Sequence, residues 1–192
     1  MPHRGPVPVR LYKKETAEVI QLGPMKCWVF EDGENTDNRV GCVTIALPPG
    51  ASGPPMHWHR FHDECFLVTK GTVRFVTPDG DLDAAEGELM VVPPRAIHTF
   101  KNASDTEEAE FFMTATPGMF SPPTSGYASA HAPADSFNVA APVLTRFSSG
   151  YYIDYFRMLA KAGQEGKQLT PNDIEHLMAL FGTFPPGAES EP

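Results

Sequence analysis

Two histidines, His57 and His59, stand two apart in the stretch MHWHRFHDE. On an extended strand that spacing points both imidazoles to the same side, because side chains alternate with period two. Glu64 follows on the next segment, and His98 arrives much later on another strand. Three imidazoles and one carboxylate on one side of a barrel make a nitrogen and oxygen pocket for one divalent transition metal. Fe, Ni, Mn, Co, Cu and Zn all suit such a set, and the donors do not choose among them. Four protein ligands leave an octahedral ion two further positions for water, substrate or dioxygen, as a catalytic site requires.

The elements that must position these side chains read as short strands divided by turns. MKCWVFEDG and RVGCVTIALPPG come first, separated by the turn residues DGENTDN; ECFLVTKG, TVRFVTPDGD, LDAAEGELMVVP, HTFKNASD and EAEFFMTATPG follow. Pro78-Asp79-Gly80 turns by a stated mechanism, proline presetting φ and glycine permitting a positive one. So many short strands predict an all-β barrel or sandwich. Ahead of them, Lys13–Gln21 is compatible with a short strand or a turn of helix. After them the period becomes helical. Tyr152, Tyr155, Phe156 and Leu159 share one face of GYYIDYFRMLAKAG, which Gly163 ends. In TPNDIEHLMALFG, Thr170 is the N-cap, Pro171 suits the first helical position and Gly182 the stop. Ile174, Leu177, Met178, Leu180 and Phe181 form its apolar side. The expected organisation is an arm over 1–24, a barrel over 25–118, a Pro/Ser/Ala-rich connector or lid over 119–147, helices over 148–184 that cover the outside of the barrel or an interface, and a tail over 185–192.

The spacing also resembles a known family. His57-Trp58-His59, four residues, Glu64, six residues and Gly71 resemble the first cupin motif. Gly87, five residues, Pro93, then His98 and Asn102 resemble the second. Two positions depart from it: Arg95 stands where the second motif usually has glycine, and Ala51, between Gly50 and Gly53, where the first motif usually opens on one. The order of one cupin, a Pro-rich passage, a helix and a segment like LMALFGTFPP is similar to small quercetin-2,3-dioxygenase-like monocupins and to cupins that tailor polyketides. The resemblance implies a jelly-roll β-barrel with a C-terminal helical pair, binding the metal through His57, His59, Glu64 and His98. It implies a homodimer, and a dioxygenase acting on an aromatic or enolisable secondary metabolite, with Glu64 doubling as the catalytic base. Alternatives are a metal-assisted isomerase or cyclase of a polyketide-like substrate, and a metabolite-binding barrel without turnover.

Composition narrows the partners. The net charge of −9, from 15 basic and 24 acidic side chains, disfavours nucleic acid and anionic membranes. No stretch reaches membrane-spanning length, and the first twenty-five residues hold no apolar signal region, so a cytoplasmic protein is expected. Cys27, Cys42 and Cys65 lie in apolar runs and read as buried reduced thiols. Trp28, Phe66, Phe75, Phe100, Phe112 and Met113 sit on the barrel strands and suggest a small hydrophobic or aromatic ligand. Arg74 and Arg95 are candidate anion contacts. His62, between Arg60 and Asp63, reads as a solvated turn residue, Asn102 as a turn residue, and His3, His131 and His176 as surface.

Overall fold

A computed structural model describes residues 6–37, 39–116 and 151–188. The connector at 119–147, with its lid reading, and His3 and His131 lie outside the described residues. The strands are β1 (Glu18–Leu22), β2 (Met25–Glu31), β3 (Gly41–Leu47), β4 (Trp58–His59), β5 (Asp63–Lys70), β6 (Thr72–Thr77), β7 (Gly80–Ala85), β8 (Leu89–Val92), β9 (Thr99–Asn102) and β10 (Ala109–Thr116). Helices α1 (Tyr151–Gln164) and α2 (Pro171–Leu180) follow, and then the two-residue strand β11 (Thr183–Phe184). A six-stranded sheet runs β1-β2-β3-β10-β5-β8, a three-stranded sheet runs β7-β6-β9, and β11 pairs with β4. All the pairings are antiparallel. This is the jelly-roll barrel, with two helices after the strands.

Period-two alternation builds the core. Glu64, Phe66 and Val68 are the buried positions of β5, and every second residue of β10, from Ala109 to Ala115, is buried. Facing them are Val73 and Phe75 of β6 and Phe100 of β9. Four phenylalanines interlock edge to face: the Phe66 ring lies 5.1 Å from Phe75 and 5.3 Å from Phe111, and Phe100 lies 5.1 Å from Phe111. Full burial contributes about 1.5–3 kcal/mol for each such ring, and each favourable ring pair a further ~0.5–1.5 kcal/mol. This core owes nothing to a metal ion.

The same alternation turns some expected cavity residues outward. Trp28 and Phe112 fall on the opposite row: Phe112 meets Phe30, and Trp28 lies under the Lys14 ammonium at 4.0 Å. Arg74 is held on the exposed β6–β7 ribbon by both oxygens of Asp83, at 2.6 and 2.7 Å, so it is a surface ion pair and not an anion contact. Leu180, expected on the apolar face of α2, is exposed, whereas Leu177 and Met178 are buried. Only Cys27 is fully buried among the three free thiols; Cys42 and Cys65 are half-buried.

Arg95 adopts φ 70 where glycine would be relaxed, and its N–H donates to the His59 carbonyl at 2.7 Å. A non-glycine residue there stores strain on the order of 1–2 kcal/mol. Arg95 therefore belongs to a turn that braces the strand of His59. Asn102 is a buried tie: its amide donates to the Leu47, Pro48 and Glu107 carbonyls, and its oxygen accepts from the Ser104 N–H. That burial is why it is more than a turn residue.

Helix α2 starts as its sequence predicts, with Thr170 and Asp173 forming a reciprocal capping box and Pro171 at the first helical position. Helix α1 packs against β1 and is pinned by Arg157, which donates to Glu18 at 3.1 Å, Asp32 at 2.9 Å and Asp154 at 2.9 Å. Its apolar face does not cover the outside of the barrel. Tyr152, Tyr155, Phe156 and Leu159 line the barrel's internal cavity instead. Among the described residues no helix is long and apolar enough to cross a membrane.

Candidate metal centre

His57 and His98 face one another across an isolated antiparallel bridge, each donating its backbone N–H to the other's carbonyl, at 3.0 and 2.8 Å. His59 lies on β4 and Glu64 is the second residue of β5. All four residues are 1–2% exposed, and their ligand atoms lie within 4.8 Å of one another. The four residues singled out by type and spacing therefore converge, as a metal pocket requires.

Hydrogen bonds set the orientation of each ring. His57 Nδ1 is 2.8 Å from the Pro55 carbonyl and His98 Nδ1 is 3.0 Å from the Ala96 carbonyl. A carbonyl only accepts, so both Nδ1 atoms carry protons. His59 Nδ1 lies 2.9 Å from the Thr183 hydroxyl. The three Nε2 atoms turn inward: His57 Nε2 sits 3.2 Å from His59 Nε2, and Glu64 Oε2 sits 3.0 Å from His59 Nε2 and 3.1 Å from His98 Nε2. With Nδ1 protonated, neutral His57 and His98 aim Nε2 lone pairs at the His59 nitrogen and at the Glu64 carboxylate. Only positive charge at the centre, a proton or a cation, reconciles them. The donor set therefore fits a divalent transition metal, and the outer hydrogen bonds are those that orient ligating histidines.

The titration of the four groups follows from burial and proximity. Burial pushes His57 down to about 3, reinforced by His59 and His98. Burial also lowers His59, against the pull of Glu64. For Glu64, burial acts upward but the His59 imidazole and the surrounding hydrogen bonds outweigh it, holding the carboxyl well below its usual range. Burial disfavours a charged His98, yet its hydrogen bond with Glu64 prevails and raises it.

These shifts predict an acid-labile metal-free protein. An unfolded histidine titrates near 6.5. Between that value and about 3, the unfolded chain binds a proton at His57 that the folded chain refuses, and His59 acts in the same direction. Stability therefore falls as pH drops below about 6.5, by on the order of 1 kcal/mol per pH unit for each of the two. His98, being raised, keeps its contribution throughout that window and does not add to the loss. Urea midpoints of chelator-treated protein should fall from pH 7 to pH 5; a flat or rising series contradicts the assignment.

His62 is not a solvated turn residue. Its side chain is 11% exposed, its ring lies 4.1 Å from that of His59, and Tyr152 of α1 closes over it at 5.0 Å. Its Nε2 is buried without a hydrogen-bond partner, 3.8 Å from Glu64 Oε1. Tyr152 also meets His59 edge to face at 5.2 Å, and burial holds its phenol well above the usual range. His176 is exposed, as expected. Thr183, His62 and Tyr152 are the site residues that motif spacing did not supply.

A cavity of about 600 Å³ leads to the cluster, with His57 and Glu64 in its wall and Leu22, Ile45, Phe100, Met113, Tyr152 and Phe156 around it. Gly53 lies against the Phe100 ring, where a Cβ would come within 2.7 Å, so the wall closes tightly there.

A jelly-roll barrel with a three-histidine, one-glutamate donor set inside it is the class that fold and site define. A family model described as the cupin domain matches residues 43–115, the part of the chain that carries all four residues of the cluster. Among solved structures, a Thermotoga maritima protein described as a predicted oxalate decarboxylase is 19% identical with a TM-score of 0.51, covering 56% of this chain and 99% of that one. The polyketide cyclase RemF from Streptomyces resistomycificus is 16% identical with a TM-score of 0.50, covering 56% and 79%. KdgF from Halomonas sp. is 14% identical with a TM-score of 0.50, covering 57% and 94%. At these identities the likeness is one of fold. No curated protein matches the chain.

Proposed function

We propose that this protein is a metal-dependent cupin oxidoreductase, a dioxygenase that acts on an uncharged aromatic or enolisable metabolite. The observation that carries the reading is the cavity: its wall is mostly aliphatic and aromatic, with Gln21 and Gln164 as uncharged polar members, it contains no lysine or arginine among the described residues, and it reaches Glu64 and His57. Such a wall favours a flat apolar molecule and offers no counter-charge to a phosphate or carboxylate. The volume suits a ligand of a few fused or linked rings. A bound divalent metal would supply Lewis acidity toward a substrate oxygen and, in a redox-active ion, the electrons that dioxygen chemistry needs.

The chain's own residues do the rest. Toward a bound ion His57, His59 and His98 would present neutral Nε2 donors, held by Pro55, Thr183 and Ala96. Glu64 is held ionised and has two unlike oxygens: Oε2 among the imidazoles, Oε1 toward His62. It can ligate and still accept the proton of an enol or phenol hydroxyl. Tyr152 and Phe156 exclude water from that exchange and flank a flat substrate. In this reading Glu64 is the catalytic base, and the aromatic wall orients the ring.

Oxygen dependence tests the proposal. Turnover of a flavonol or polyphenol probe should cease under anaerobic conditions, and label from oxygen gas should enter the product. Undiminished turnover without oxygen, sustained by zinc, would reject the dioxygenase and leave Lewis-acid isomerisation or cyclisation at the same centre.

A further inference from the structure

His57 and His98 are each oriented by a carbonyl two residues upstream, so the strand that carries the ligand also supplies its support. His59 differs. Its Nδ1 is met by a side chain 124 residues later, the hydroxyl of Thr183, which is 2% exposed. Thr183 stands opposite His59 in the β4–β11 pair, and Phe184 stands opposite Trp58. Gly182, at φ 67, turns the chain out of α2 into this pair, and its carbonyl accepts the Arg60 N–H at 2.8 Å. The Trp58 indole N–H donates to the Pro185 carbonyl at 3.2 Å, and its ring packs on Phe184 at 4.9 Å. The C-terminal segment is thus fastened on both sides of one ligand.

A hydroxyl differs from a carbonyl in being able to donate as well as accept. If Thr183 accepts, Nδ1 holds the proton and Nε2 offers its lone pair to the centre. If it donated, the Nε2–H would point inward and bar a cation. We propose that Thr183 is the positioning residue for His59, and that the segment Gly182–Pro185 completes the metal centre by fixing this ring's tautomer and direction. The proposal rests on the metal-binding reading of the four-residue cluster. It makes the segment that follows α2 part of the site, although Thr183 supplies no ligand atom and reaches the centre only through His59.

The test compares Thr183→Val, which keeps shape and loses the hydroxyl, with Thr183→Ser, which keeps the hydroxyl. Zinc affinity is measured by competition with a chromophoric chelator, and cobalt(II) absorption reports the ligand field. Thr183→Val should bind zinc about 10–100-fold more weakly than the wild type and give a changed cobalt spectrum. Thr183→Ser should stay within about threefold of it. Equal affinity in Thr183→Val, or equal weakening in both variants, overturns the proposal. Nitrogen-15 spectra of the zinc-loaded wild type, which need no variant to fold, should show His59 protonated at Nδ1 and ligated through Nε2; the reverse overturns it. A wild type that takes up no zinc or cobalt rejects the underlying metal reading itself, and this proposal with it.

Discussion

His59→Ala is expected to weaken metal binding by about 10²–10³-fold and leave the barrel folded. Zinc held by four protein ligands contributes about 10–16 kcal/mol. One ligand of four is then worth roughly 3–4 kcal/mol, and each 1.4 kcal/mol is a factor of ten. The fold survives because the Phe66, Phe75, Phe100 and Phe111 rings interlock below the cluster without help from an ion. The metal-free variant should also resist acid better than metal-free wild type, since one imidazole lowered by burial is gone. Elemental analysis and chelator competition measure the first effect, circular dichroism the second. Near-stoichiometric metal at unchanged affinity in the variant would remove His59 from the ligand set.

What the sequence made legible was whatever obeys a short period. His57 and His59, Glu64 with Phe66 and Val68, and His98 with Phe100 and Asn102 are rows of alternate residues, and each row is buried. That period also tells against the expectation for Trp28 and Phe112, which alternate with Cys27, Val29, Phe111 and Met113 and so face outward. An aromatic residue on a strand reaches the cavity only from the inward row, which Trp28 and Phe112 do not occupy.

Long-range placement was not legible. The helical spacing of Tyr152, Tyr155, Phe156 and Leu159 shows that one face must be buried but not against what. The Arg157 clamp to Glu18 and Asp32 helps to hold α1 against the barrel. Once α1 is there, Tyr152 closes over His62, so a histidine flanked by Arg60 and Asp63 is buried by a residue ninety positions away. Thr183 is hidden for the same reason: a threonine after a helix stop has no local mark of a partnership formed across the fold. Arg95 is the converse case. Its departure from glycine was visible, and the backbone keeps the glycine-like turn at some strain.

Glu64→Gln should lower turnover by about 10²–10⁴-fold at saturating metal, the range for loss of a general base. Glutamine preserves volume and an oxygen donor but removes the negative charge and the basic site. In the wild type the carboxylate is 2% exposed and stays ionised because the imidazoles outweigh the cost of burial. The acid limb of its kcat/KM profile that belongs to this base should therefore lie below the usual carboxylate range, and it should vanish in the variant. Glu64 is also what raises His98; without it His98 gives up its proton more readily, so metal and proton compete less near neutral pH. Metal content and turnover measured together separate the two roles of the side chain. Loss of both in proportion would make Glu64 a ligand alone. A metal-loaded variant with full turnover would send the hydroxyl proton elsewhere, and among the described residues the buried side chain beside the cluster with an unpartnered nitrogen is His62.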